Sequence, residues 1–196
     1  MHHDIAAPVL LCVTGASGSI YALQFIEILA KLHQETHLIM SSAGKQVASL
    51  ELGEKGSARL LSLAGAIYDA NDFTAAPASG SSRWKAMVVM PCSMGTLAAI
   101  AHGMSQNLIH RAADCFLKER RPLILCPRET PLNATHLKNL LFVHDAGAVI
   151  YPAMPSFYHA PESIQDLAYF FAARVAAFLG LEPPGLKRWQ GISEKV

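Results

Sequence analysis

Charge is what this sequence has least of. Only 16% of its 196 residues are Asp, Glu, Lys or Arg, while 52% are hydrophobic. A soluble domain carries roughly 25% charged residues. The 16 cations and 15 anions leave a net charge of +1, which argues against a partner that needs a basic surface, nucleic acid above all. Low hydrophobicity and high net charge, the signature of disorder, are missing. No apolar run approaches the roughly 18 residues of a membrane span. The run over 6–13 is short and leads into a glycine-rich turn, so no signal peptide is expected. Cysteine is scarce too: Cys12, Cys92, Cys115 and Cys126 show no C-x-x-C spacing. That argues against a zinc or redox motif and for reduced thiols in a cytoplasmic protein. Nothing is drawn from His2 and His3. The length suits one domain that buries roughly 70% of its unfolded surface. A soluble chain this poor in charge has either a large core or outer surface hidden against other chains.

What is present alternates. Val9–Thr14 is a continuous apolar run of the kind that forms a strand covered on both faces. Apolar residues at helical spacing follow over 20–32. Further strands are expected at 36–40, 66–68, 86–90 (ended by Pro91), 123–126 and 148–151. Helices are expected from Ser41-Ser42 to about Leu52, then over 60–64, 94–101, 108–118, 133–146 and 161–179, the last begun by Pro161. The stretch 71–82 reads as loop. This pattern predicts an α/β fold: one flavodoxin-like or Rossmann-like, doubly wound parallel sheet in three αβα layers. The domain is expected over 1–182, with a C-terminal arm over 183–196. Ligands of such sheets bind beyond the carboxyl ends of the strands.

Four turns stand there. Gly15-Ala16-Ser17-Gly18-Ser19 opens a helix, and its backbone N–H groups can face an anion. It matches neither G-x-G-x-x-G nor a Walker A loop, and taken alone it is as well explained as a tight turn. Pro91-Cys92-Ser93-Met94-Gly95-Thr96 is a second small, hydroxyl-rich helix start, explained singly by Ser93 capping. Pro127-Arg128-Glu129-Thr130-Pro131 holds two charges between prolines, which matters where charge is rare. The stretch 152–161 holds three prolines with Phe157, Tyr158 and His159. Arg174 and Glu51 lie near the apolar sides of their helices, where each needs a partner or a ligand. Taken alone, an internal salt bridge explains either one, and helix-end position explains Lys118, Arg120 and Arg121. Together the residues suggest a phosphate-bearing ligand. No cluster has metal-ligand spacing, and no G-x-S-x-G elbow occurs.

The motifs T-G-A-S-G-S (14–19), P-A-S-G-S-S (77–82), P-C-S-M-G-T (91–96), N-L-I-H-R-A-A-D (107–114), L-K-E-R-R-P-L (117–123), P-R-E-T-P-L (127–132) and P-A-M-P-S-F-Y (152–158) together resemble the UbiX-like flavin prenyltransferases. The resemblance covers the chain from Val9 to Trp189. It implies transfer of a dimethylallyl group from dimethylallyl phosphate to reduced FMN, without metal. The product would serve a UbiD-type decarboxylase, and the enzyme would be a homo-dodecamer. It implies that Gly15, Ala16, Ser17 and Ser41 hold the flavin. Ser93, Met94, Gly95 and Thr96 would cradle its phosphate or ribityl chain, and Arg128 would add a contact. Lys118, Tyr158 and Arg174 would bind the donor phosphate, with Glu51 and Glu129 as acidic neighbours. Ser17, Glu51, Lys118, Glu129 and Tyr158 form the implied catalytic set. Arg111 matches a family arginine, and Phe73 stands where some members carry Trp. The same fold also serves FMN-dependent cysteine decarboxylases, and a non-catalytic FMN carrier is a third reading. The resemblance leaves open the phosphate or pyrophosphate form of the donor, and the pathway, ubiquinone synthesis or aromatic-acid breakdown. It explains the scarcity of charge by hidden surface, with Glu51, Lys118, Arg128, Glu129 and Arg174 converging on one pocket.

Overall fold

A computed structural model describes residues 7–186 and Trp189. His2, His3 and most of the expected arm fall outside that range. Six strands, β1 (Val9–Val13), β2 (Thr36–Met40), β3 (Ala66–Asp69), β4 (Ala86–Cys92), β5 (Leu123–Pro127) and β6 (Val149–Ile150), form one sheet in the order β3-β2-β1-β4-β5-β6. Every pairing is parallel. β1, β4 and β5 are buried along their whole length, which is why they read as unbroken apolar runs.

Helices α1 (Ser19–Lys31), α2 (Ser42–Ser62) and α6 (Ile164–Phe178) cover one face, through Phe25, Leu29, Leu60, Phe171 and Val175. On the other face lie α3 (Met94–Ala101), α4 (Leu108–Lys118) and α5 (Ala134–Asp145), through Leu97, Ile109, Phe116 and Val143. The result is the expected doubly wound, three-layer αβα fold. The winding reverses between β1 and β4, and such a switch point opens a crevice at the carboxyl ends of the strands.

Three boundaries differ from the sequence reading, each for a local reason. β4 runs on through Pro91 to Cys92, across a register irregularity between Val89 and Cys92. A strand tolerates a proline at such a bulge, where no ladder donor is needed. The break after Leu52 is a single residue, Gly53 at φ 65° and ψ −175°, and the helix resumes at once instead of at Leu60. α6 begins at Ile164, because the Ser163 hydroxyl accepts the Asp166 amide hydrogen and caps it. Pro161 therefore lies before the helix. Ile164 and Phe178, which continue the apolar spacing of α6 at either end, are 69% and 57% exposed; its core side is Ala168, Phe171, Ala172 and Val175.

All four cysteines are free and buried. Burial pushes the Cys92 thiol up to about 12 and Cys12 and Cys126 well above their ordinary range. Thiols so far from ionisation are poor nucleophiles. Among the described residues no helix is long and apolar enough to cross a membrane.

Candidate active site at the switch point

The turn after β1 and the turn after β4 flank the crevice, and Thr14 joins them. Its buried hydroxyl donates to the Pro91 carbonyl and accepts the Ser93 amide hydrogen, each at 2.8 Å. The turn after β5 is fastened to both. The Arg128 amide donates to the Cys92 carbonyl (3.3 Å), and its Nε donates to the Ser17 carbonyl (3.1 Å). Gly15, Ser17, Ser93 and Arg128 are thereby brought together by hydrogen bonds across three strand ends.

Small residues make the close approach possible. A Cβ on Gly44 would lie 2.4 Å from the Val13 carbonyl oxygen, and one on Gly15 would lie 2.6 Å from Ala43 Cβ. α2 can therefore start directly over the end of β1. There the Ser41 hydroxyl accepts the Gly44 amide hydrogen at 3.0 Å. Ser93 caps α3 in the same way, its Oγ accepting from the Thr96 amide (3.3 Å) and donating to Thr96 Oγ1 (3.1 Å). Beside that cap, a Cβ at Gly95 would meet nothing within 4 Å. An open, glycine-faced helix start suits a phosphate. The residues present therefore fit FMN: small residues 15–17 for a flat ring, and Ser93 to Thr96 for the phosphate end.

Glu51 behaves differently from the salt-bridged helix charge its position suggested. Its carboxylate reaches from α2 to the head of α1 and accepts from the Gly18 amide (2.9 Å to Oε2) and the Ser19 amide (2.7 Å). Burial pushes this carboxyl up. The Ser17 hydroxyl and the bonds from the Gly18 and Ser19 amides outweigh that and hold it below its ordinary value. Negative charge at a helix N-terminus is favourable.

Arg174 on α6 lines a cavity of about 350 Å³ with Tyr151, Ala177 and Phe178. Burial pushes the Tyr151 hydroxyl up, against the pull of the Arg174 guanidinium that hydrogen-bonds it. Tyr151, at the end of β6, was missed by the sequence reading, although a polar aromatic residue at a strand end was a usable signal. Its ring meets Phe171 edge-on at 5.6 Å, and Phe171 lies 4.7 Å from Tyr21, the neighbour of Gly18. Those ring contacts join the Tyr151 wall of the Arg174 cavity to the first turn of α1. Tyr158, half exposed, meets Phe170 at 5.5 Å and Trp189 at 5.8 Å. Phe170 is one helical turn before Arg174 on α6. Glu129 is exposed, and its Oε1 accepts the Thr130 amide hydrogen at 3.0 Å.

Lys118 stands apart. α4 starts at the carboxyl edge, where the Leu108 amide donates to the Ala70 carbonyl, and its 11 residues carry the chain about 16 Å to the opposite edge. There Lys118 Nζ donates to Glu119 Oε1 at 2.5 Å. Arg111 is also occupied, its Nε donating to the Ala78 carbonyl and its Nη1 pairing with Asp114. Of the five charges expected at one pocket, hydrogen bonds tie Glu51 and Arg128 to the turn at 17–19, Glu129 is the exposed neighbour of Arg128, Arg174 lines the cavity on α6, and Lys118 lies at the far edge of the same chain. Phe73 is exposed in the turn after β3.

Residues 2–175 match the Flavoprotein family. The chain is 50% identical over 178 residues to the flavin prenyltransferase UbiX of Deinococcus radiodurans, covering 91% of each chain. To the flavin prenyltransferase UbiX of Escherichia coli K12 it is 42% identical, covering 91% of this chain and 96% of the relative. The chain belongs to the UbiX-like flavin prenyltransferases of the flavoprotein family. Among solved structures, it is similar to AnUbiX (PadA1) in complex with FMN and dimethylallyl pyrophosphate: TM-score 0.91, 40% identity, 95% of this chain and 98% of that one. It is also similar to a dodecameric FMN-dependent UbiX-like decarboxylase from E. coli O157:H7, with TM-score 0.90, 39% identity, and 94% and 100% coverage. The cysteine decarboxylase TvaF, at 18% identity and TM-score 0.58, shares the fold alone. In this chain the turns over 14–19, 91–96 and 127–132 are the ones the hydrogen bonds draw together.

Proposed function

We propose that this chain is a flavin prenyltransferase that moves a dimethylallyl group from dimethylallyl phosphate to reduced FMN. The observation that carries the reading is the adjacency of two unlike half-sites. At the switch point, α3 opens with a bare face at Gly95 near the small residues 15–17, which suits a flavin, and an Arg174–Tyr151 cavity suited to a phosphate lies along α6, whose Phe171 packs on Tyr21 next to Gly18. Similarity to AnUbiX, solved with FMN and dimethylallyl pyrophosphate, supports the same assignment.

Bound reduced FMN supplies the ring nitrogen that takes up the prenyl group and the neighbouring carbon onto which it closes. The chain's own part is to hold the donor and manage charge. Departing phosphate gathers negative charge, which Arg174 and the Tyr158 hydroxyl offset by hydrogen bonds. Glu129 serves as acid toward the phosphate oxygen and as base for the ring proton released on closure. Ser17 would hold the flavin, and Glu51 fixes the turn that carries Ser17. Lys118 serves the phosphate of a neighbouring copy, since in its own chain it sits at the far edge of the sheet. That arrangement requires an oligomer, and we assign the dodecamer described for the E. coli O157:H7 structure. Exposed Leu50, Leu137, Leu141 and Phe157 give the chain apolar surface to bury there. A cytoplasmic location and delivery of the product to a UbiD-type decarboxylase complete the proposal.

The test is a mass spectrum of the flavin extracted after incubation with reduced FMN and dimethylallyl phosphate. A gain of one prenyl unit is expected. Unmodified FMN, tightly bound, would leave only a carrier.

A further inference from the structure

Thr14 is nearly wholly buried, at 1% exposure, and the function proposed above gives it no task. Its hydroxyl spans the switch point, with both partners on the turn 77 to 79 residues away in sequence. A buried hydroxyl of this kind is costly unless satisfied. Here the donor and one lone pair are both used, and neither bond is needed to complete the sheet. The ladder between β1 and β4 is registered independently, from Val9 with Ala86 to Cys12 with Val89, and the Thr14 amide itself donates to the Pro91 carbonyl at 3.2 Å. What the hydroxyl adds is a second bond to that carbonyl and, beyond the main-chain pairing, the hold on the Ser93 amide, which heads the capped start of α3. Arg128 fastens the same two turns from the far side, through the Ser17 and Cys92 carbonyls.

We propose that Thr14 is a positioning residue: its hydroxyl sets the distance between the ring-holding turn, 15–17, and the phosphate-holding turn, 93–96, and so gives the site its preference for a phosphorylated flavin. This rests on the flavin reading of those two turns. A ligand gripped at both ends gains from two anchors only if their spacing matches its length; when the spacing drifts, one grip weakens the other. A flavin without the phosphate uses one anchor and feels little of that drift. Valine keeps the shape of threonine and removes the hydroxyl, whereas serine keeps the hydroxyl.

The experiment measures dissociation constants of oxidised FMN and of riboflavin for the wild-type protein, Thr14→Val and Thr14→Ser, well below each melting temperature. Wild type should prefer FMN strongly. Thr14→Val should cut that preference about tenfold or more, chiefly by weakening FMN, and Thr14→Ser should restore most of it. A role in stability alone would lower the melting temperature of Thr14→Val and leave the ratio of the two constants unchanged, which would overturn the proposal. If Thr14→Val does not fold, Thr14→Ser and Thr14→Ala carry the test. A ratio equal in those two variants overturns it, and a ratio lowered in alanine alone supports it. If wild type itself binds riboflavin as tightly as FMN, the phosphate assignment of 93–96 fails, and the proposal falls with it.

Discussion

The two edges of the sheet put their polar groups to different uses. At the carboxyl edge, the bonds cross between distant elements: Thr14 to the β4 turn, Arg128 to the β1 turn, Glu51 from α2 to the head of α1. At the amino edge, Lys118 holds its neighbour Glu119, and Arg121 ties the start of β5 to the 77–82 loop through the carbonyls of Gly80 and Ser82. The first edge is built to hold three turns in fixed relation. The second presents α4 and the 77–82 loop as one preassembled surface, with Lys118 on its outside. A chain poor in charge has placed much of its charge at two ends that cannot meet within one copy. Under the proposed function, a site needing both ends would be completed between copies.

The largest expected effect tests that separation directly. Lys118→Ala and Arg174→Ala should each slow prenyl transfer by about 100-fold or more, as loss of charge stabilisation at a leaving group does. If the two residues serve one site from different copies, oligomers reassembled from a mixture of the two variants should regain activity. Chance pairing restores both residues in roughly a quarter of the sites. Recovery measured against each variant alone checks it. If both residues came from one chain, every site would stay broken and mixing would give nothing.

A second contrast concerns how tightly each edge is packed. Gly44→Ala puts a Cβ 2.4 Å from a strand carbonyl that cannot move away. It should cost about 1–3 kcal/mol, in the range of core overpacking, and weaken FMN binding as α2 is pushed off β1. Gly80→Ala at the other edge meets only Glu119 Oε1 at 2.5 Å and Lys118 Nζ at 2.6 Å. Both are ends of flexible side chains, so the melting temperature should hardly change. Thermal melts of the two variants check the difference.

Much of this was legible in the sequence, for physical reasons. Strands buried on both faces must be apolar throughout, so β1, β4 and β5 announced themselves, and their alternation with helices gave the layers. Turns that grip a ligand need small residues and hydroxyls, so 15–19 and 91–96 stood out. Spacing along the chain could not show direction across it. Lys118 and Glu129 are 11 residues apart, yet a strand separates them and places them at opposite edges. Nor could spacing show that Glu51 caps a helix other than its own. Motif order matched Lys118 to a role, but which copy it serves is a question of topology.

A smaller effect concerns how the loop at the amino edge is held. Both guanidinium arms of Arg121 end on carbonyls, of Ser82 and Gly80. Lysine can replace only one such bond, because its ammonium lacks the planar fork. Arg121→Lys should cost about 0.5–1.5 kcal/mol, one net hydrogen bond. It should speed amide hydrogen exchange over 78–83 while leaving exchange in the turn at 14–19 as it was. Faster exchange at both edges would show that they are mechanically coupled, and the contrast between them would be lost.

The smallest effect is a pH dependence at the carboxyl edge. The folded protein holds the Glu51 carboxyl below its ordinary value, which in an unfolded chain is about 4.3. A lowered folded value means that Glu51 contributes stability in its ionised form. That contribution is fully present above about pH 4.3 and is lost as pH falls toward the lower folded value. Glu51→Gln keeps an oxygen for the Gly18 or Ser19 amide but removes the charge facing the head of α1, an interaction of about 0.3–1 kcal/mol at exposed sites. At neutral pH the variant should melt slightly below wild type. As pH drops through the acid range the two curves should converge, because protonation takes from wild type what the substitution already removed. Melting curves between pH 3 and 7 check this, and a gap that stays constant across that range would mean that charge at Glu51 does not hold the turn.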